Sequence, residues 1–169
     1  MDFTATFDRS ARLITVFLLL FVAGMISAVV AVFAQHNFGI YSYLGILLVV
    51  LIFAVTYGFS VTGYRLTFNH IIVRRPLGDK KIARADIQSA QRLSKGALSW
   101  SLRAFGVGGL FGYFGRFYNR KMGSMTWFLT RRDRTILLLL KDGRKIVISP
   151  DSPEAFIQAL ETDRSFILF

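Results

Sequence analysis

The chain contains no cysteine and only two histidines, His36 and His70, among its 169 residues. Disulfides and thiolate metal sites are excluded, and two imidazoles so far apart in sequence do not make a structural zinc site. His70 is the only histidine beyond the first third, so no Ser–His–Asp arrangement is recoverable. The carboxylates of that region, Asp79, Asp86, Asp133, Asp142, Asp151, Glu154, Glu161 and Asp163, fall mostly in turns or at helix ends, which accounts for them without catalysis. No catalytic residue, metal site or cofactor is expected, and the chain reads as a non-enzyme.

A further absence is positional: residues 13–64 contain no Lys, Arg, Asp or Glu. Within them lie two apolar runs, 13–34 and 40–59, each close to the roughly 20 residues that cross a bilayer's hydrocarbon. Both are apolar on every face, unlike an amphipathic helix lying on a soluble core. They are expected to form a membrane α-helical hairpin over 13–59, preceded by a short cytoplasmic leader at 1–12. Val32-Phe33-Ala34 has the spacing of a signal cleavage site. The run nevertheless exceeds the roughly 7–15 residues of a signal core, which favours an uncleaved helix. No ionisable side chain lies inside either run, which argues against a proton relay, ion pathway or transport site.

Arg9 and Arg12 precede the first run, Arg65, Arg74 and Arg75 follow the second, and the loop at 35–42 is uncharged. The positive-inside rule then places both termini in the cytoplasm. Tyr41, Tyr43, Tyr57 and Tyr64 fall near the expected interfaces, where a ring and a polar tip are both satisfied. Ala23, Gly24, Ser27, Ala28 and Ala31 form a small-residue face on the first helix. Packing within the hairpin is the first expectation for that face, and homo-oligomerisation through it the second.

What the chain has in excess is positive charge. Its net charge is +11, and residues 61–169 alone hold 19 Lys+Arg against 8 Asp+Glu. A basic domain tethered to a membrane most simply faces anionic lipid head groups, and nucleic acid is not an expected partner there. About 105 residues follow the hairpin, enough for one small core.

From Gly63 the pattern becomes short β-like segments separated by turns, at 64–68, 71–74, 81–83, 87–93, 98–105, 125–130, 135–141 and 144–148. Asn69-His70 and Pro76-Leu77-Gly78-Asp79 read as turns, and Asp142-Gly143 as a type I′ hairpin signal. The segment 135–140 is apolar on both faces, as in a central strand. Ser152, Pro153 and Glu154 then start a helix whose apolar face carries Phe156, Ile157 and Leu160. The expected domain, 60–163, is a mainly-β barrel of about seven antiparallel strands capped by one C-terminal α-helix, with a tail at 164–169.

Several motifs carry a family resemblance: Gly63-Tyr64-Arg65-Leu66, Arg74-Arg75-Pro76-Leu77-Gly78, Ala85-Asp86-Ile87 and the run from Ser149-Pro150-Asp151 to Phe156-Ile157. With the segment from Gly109-Leu110-Phe111 to Phe114-Gly115, the whole chain resembles the bacterial pleckstrin-homology-like (PH-like) membrane proteins. The resemblance implies a seven-stranded PH barrel with a capping helix, no catalytic residues, and a place in the bacterial inner membrane. Eukaryotic PH barrels bind phosphoinositides through basic residues near their first hairpin, where this chain has Arg74, Arg75, Lys80 and Lys81. In a bacterium, phosphatidylglycerol or cardiolipin would be the anion.

The most unusual stretch is 103–134, which interleaves six glycines with aromatic residues and carries seven basic residues against the single Asp133. It lacks the Gly-Lys-Ser/Thr ending of a P-loop, and Phe111 stands where a dinucleotide fingerprint needs its third glycine. One expectation is a Gly-rich β connection whose aromatics pack on the barrel. The other is that Phe111, Tyr113 and Phe114 enter the membrane interface while Arg116, Arg120, Lys121, Arg131, Arg132 and Arg134 meet head groups. The functional expectation is a membrane-anchored module presenting its domain for protein interaction or self-assembly, its basic face on anionic lipid. A head-group sensor and an accessory subunit of a membrane enzyme or transporter are the alternatives.

Overall fold

The structure, a computed structural model, describes residues 1–35 and 41–165. The rest of the loop expected at 35–42, and the last four residues of the tail expected at 164–169, lie outside the described residues.

Two helices come early, α1 (Arg9–Gln35) and α2 (Tyr41–Gly58). Asp8 starts α1: its Oδ1 accepts the Ala11 N–H at 2.6 Å, as an N-cap carboxylate does. The segment Arg9–Val32 is long and apolar enough to cross a membrane. The second expected span falls short: its apolar stretch is Tyr43–Gly58, within an α2 of 18 residues that rises about 27 Å. Among the described residues one helix of spanning length is present where two were expected.

The small-residue face does not pack inside the hairpin. Gly24 has open space where a Cβ would stand, and Ala28 and Ala31 are exposed. Val22, Ile26 and Val29 of α1 instead approach Ile46 and Val49 of α2 across an apolar crevice. These residues recur every three or four positions along their helices and line the crevice together with Gly45, while Gly24 lies outside it.

The β structure starts before the helices. β1 (Asp2–Thr4) pairs antiparallel with β2 (Gly63–Leu66), which continues through β3 (His70–Arg74) to β4 (Lys80–Ala83) in a four-stranded sheet. The expected leader is thus part of the domain. Arg65 Nε donates to Asp2 Oδ1 at 2.7 Å, and Thr6 N–H donates to the carboxylate of Asp151.

The second sheet contains β5 (Ile87–Arg92), β6 (Leu102–Gly109), β7 (Gly112–Asn119), β8 (Gly123–Leu129), β9 (Ile136–Leu140) and β10 (Lys145–Ile148), in the order β5-β9-β10-β8-β7-β6. Among the described residues no ladder joins the two sheets, so the expected closed barrel of about seven strands is an open pair of sheets with ten. The all-antiparallel expectation also fails at one place, because β10 lies parallel to β8. The chain leaves β8, passes over one strand position to form β9, and returns as β10 in the gap. No local pattern encodes that insertion.

β9 is central and buried on alternate residues, with the other face half-buried, as its apolar sequence indicated. The β9–β10 hairpin forms where expected, but only Gly143 has a positive φ, +81°. Its turn therefore differs from type I′, which needs both central residues there. α3 (Pro153–Ser165) closes one end and contributes Phe156 and Leu160 to the core between the sheets. Tyr64, expected near the interface, is fully buried in this core, with its ring edge-on to Phe156. A second cluster, on the opposite face of the larger sheet, holds Tyr113, Phe117, Met125, Trp127, Leu129 and Val147 under Leu98 and Ala11.

Candidate functional site

Three sets of contacts fasten the β domain to the open end of the helix pair. At the start of α1, Asp8 N–H donates to the Thr130 carbonyl at 3.2 Å, and Asp8 Oδ2 accepts the Arg132 N–H at 3.3 Å. Nearly two turns on, Thr15 Oγ1 accepts the Phe111 N–H at 3.0 Å at the tip of the β6–β7 hairpin. Phe111 sits at φ +52° and meets Tyr57 of α2 edge-on, ring centroids 5.4 Å apart. A left-handed phenylalanine persists only where its neighbours hold it, and Thr15 and Tyr57 do so here.

At the end of α2, the Gly58 carbonyl accepts the Leu77 N–H at 2.8 Å. A Cβ on Gly58 would lie 2.9 Å from the Leu77 Cβ, so this approach requires glycine. Arg75 completes the contact, its guanidinium 5.5 Å from the Phe59 ring centroid and 5.9 Å from that of Phe128. Burial lowers the Arg75 pKa, although Asp79 opposes the shift.

The structure distributes the sequence-derived basic residues over several places. Arg74, Arg75, Lys80 and Lys81 surround the β3–β4 turn beside the end of α2, and all but the half-buried Arg75 are exposed. Arg131 is engaged: it pairs with Asp133 at 2.7 Å and with Asp151 at 3.3 Å, its side chain 17% exposed. Hydrogen bonding from Arg131 holds the Asp133 pKa below the usual carboxylate range. Burial would raise the Asp151 pKa, but hydrogen bonds from Thr6, Thr4 and Arg131 outweigh it and the net shift is downward.

Arg132 donates to the Leu98 carbonyl at 2.8 Å and lies over the rings of Tyr113 and Trp127. Arg134 donates to the Asp151 carbonyl at 2.9 Å. Arg116, Arg120 and Lys121 lie along β7 and in the turn after it. From the hairpin tip at Gly112 to Asn119 the strand runs about 23 Å at ~3.3 Å per residue. The ten basic residues thus form a set at the helix base, a set engaged in domain contacts, and a set at the far end of β7.

The aromatic candidates separate too. Phe111 is at the helix base, Tyr113 is buried in the second cluster, and Phe114 is half-buried on the other face of β7. Gly106 and Gly115 face each other across the hairpin at φ +119° and +125°, where a Cβ would come 2.2 Å from a carbonyl oxygen of the opposite strand. These glycines let the two strands approach closely, in a hairpin that occupies the place of the expected Gly-rich β connection.

Several important residues were absent from the sequence-derived set. Asp8 had a visible signal, an acidic residue three positions before Ala11 at the start of an apolar run. Arg84 had none: it is buried, donating to the Thr67 carbonyl at 3.1 Å and to the Leu160 carbonyl at 2.8 Å. Thr15 and Trp100 acquire meaning only from what the fold puts beside them or leaves uncovered. Among the described residues no three His, Asp or Glu side chains converge as metal ligands do.

Comparison with known proteins places this arrangement. No curated protein and no solved structure matches the chain. A family model described as the bacterial PH domain matches residues 62–164, from the start of β2 through nearly all of α3. That match covers more than half of the chain, which therefore belongs to the bacterial PH domain family.

Proposed function

We propose that this chain is a two-span, non-enzymatic membrane protein that holds its PH domain rigidly against the cytoplasmic face and presents it to a protein partner. The observation carrying this reading is the three-point fastening of the domain to the helix base through Asp8, Thr15 and Gly58. A domain swinging on a free linker would need none of these contacts. The fastening keeps one surface of the domain near the bilayer and the opposite end directed away from it.

The 18 residues of α2 span about 27 Å, short of hydrocarbon thickness by an amount that local bilayer thinning accommodates. Arg9, Arg12, Arg74 and Arg75 set both termini inside. Each exposed Lys or Arg at the β3–β4 turn adds about 1 kcal/mol on an anionic leaflet, which tunes orientation while the helices anchor.

The absence of cysteine makes a clean test available. In Asn37→Cys a membrane-impermeant maleimide should label intact spheroplasts, whereas in Lys121→Cys it should label only after permeabilisation. The reverse pattern, or labelling of both in intact spheroplasts, refutes the two-span orientation. A head-group sensor has support in the position of Arg74, Lys80 and Lys81 beside α2. It predicts that replacing these three by glutamine abolishes a salt-sensitive preference for anionic over zwitterionic vesicles.

A further inference from the structure

The second sheet ends on β6, and this edge is open. Among the described residues no backbone hydrogen bond outside the ladder reaches its edge between Leu102 and Gly108. The strand contains neither proline nor lysine, two residues by which natural edges are blunted. A bulge lies between Arg103 and Phe105, Gly106 and Gly109 take positive φ, and Phe105 to Gly109 pair residue for residue with β7.

The face beside that edge is unusually apolar for exposed surface. Leu102 is 72% exposed, Phe105 77%, and Trp100, just before the strand, 95%. Trp100 also sits at φ +60°, so the backbone holds a large aromatic outward in a conformation non-glycine residues seldom adopt. The register places Leu102 opposite Tyr118 and Phe105 opposite Arg116, so these four share one face. At the strand's start a hollow of about 600 Å³ opens between Trp100, Leu102, Tyr118, Arg120 and Lys121.

Charge selects the occupant. Residues 87–132 hold eight Lys+Arg and not one Asp or Glu. A second copy pairing edge to edge would bring two basic surfaces together. A lipid surface has no use for an open row of backbone donors and acceptors. An extended segment that alternates apolar and acidic residues uses all three features: its backbone joins the edge, its apolar side chains cover Leu102 and Phe105 on one face, and its carboxylates project to the other face, where Arg103 lies.

We propose that β6 is a docking edge for an extended peptide that alternates acidic and apolar residues, added as a seventh strand. This rests on the reading that the domain serves protein interaction, and it names the surface and the partner chemistry.

The test uses the full chain in discs of zwitterionic phosphatidylcholine and two labelled probes, read by fluorescence anisotropy. One is an eight-residue, end-blocked peptide alternating valine and aspartate; the other has lysine in place of aspartate. The acidic probe should bind at least about tenfold more tightly, with a preference that falls as salt rises. Trp100→Ser with Phe105→Ser should weaken it by about tenfold or more, because both side chains are exposed and can be removed without disturbing the core. Ala104→Pro, placed at the bulge where no β7 residue is opposite, should abolish it.

Equal affinity for the two probes overturns the proposal, as does unchanged binding in the double variant. Crosslinks between copies through β6, or protection of Trp100 by anionic vesicles in place of peptide, overturn it too. The discs already hold the helices, so a wrong orientation in the cell leaves this measurement untouched. A negative result here removes only the edge.

Discussion

Replacing Tyr64 by phenylalanine deletes one oxygen from the centre of the domain and leaves the ring in place. That hydroxyl donates to the Phe128 carbonyl at 2.5 Å and accepts the Ser149 N–H at 2.9 Å. Tyr64 and Ser149 are both fully buried, and water does not replace the lost atom. An orphaned buried donor or acceptor costs about 1–3 kcal/mol, so Tyr64→Phe should destabilise the domain by about 2–4 kcal/mol. With a urea dependence of about 2 kcal/mol per molar for a domain of this size, the midpoint should fall by about 1–2 M. Trp127 reports the transition well, being buried and stacked on Phe117 with ring centroids 3.9 Å apart. The measurement is tryptophan fluorescence of the full chain in a mild detergent, in a Trp100→Phe background that removes the exposed indole.

The same variant carries a pH signature. Burial drives the Tyr64 pKa upward, against the opposing hydrogen bonds from Ser149. A group whose pKa is raised on folding contributes its stability below the unfolded value, here about 10, and loses it as pH climbs from there. The parent should therefore weaken above pH ~10 more steeply than Tyr64→Phe does. A midpoint shift under about 0.3 M, or identical alkaline slopes, would refute the assignment of Tyr64 as the strut between the sheets.

Three further outcomes follow from the helix base and its neighbours. Asp8→Ala removes the α1 cap and the bond from Arg132, and should cost about 1 kcal/mol by thermal unfolding in detergent, whereas Asp8→Asn should recover most of it. Gly58→Ala drives a methyl into the Leu77 Cβ and should cost about 1–3 kcal/mol, relieved when Leu77→Gly is added; additive effects in that double-mutant cycle would exclude the contact. Asp133, its pKa lowered first by the hydrogen bond from Arg131, contributes stability above the ordinary carboxylate value near 4 and loses it as pH falls through the lowered one. Arg131→Gln should flatten that acid limb in a pH series of melting temperatures.

The helices, the basic excess and the final α3 were legible from the sequence because each depends on near neighbours. A run without charge between residues 13 and 64 forms apolar helices in any fold, and Ser152-Pro153-Glu154 starts α3 by local capping. The bacterial PH resemblance was legible for a similar reason, since its motifs are turns, caps and strand starts. β7 was missed as a strand although Tyr113, Phe117 and Asn119 alternate along it, because its glycines imitate a loop. The basic candidates were read correctly as an excess but not as a surface: charge is additive along a chain, while adjacency is not.

What the sequence alone determined is local: where the helices lie, where most of the β segments lie, and where the charge is. Tertiary structure decided everything that requires distant residues to meet. It recruited β1 from ahead of the helices into the sheet beside β2. It slid β10 between β8 and β9, left the outer edge of β6 without a neighbouring strand, and turned Tyr64 from an expected interface residue into the centre of the core. The physical reason is that burial and strand pairing belong to pairs of residues, such as Tyr64 and Ser149, separated by 85 positions in sequence.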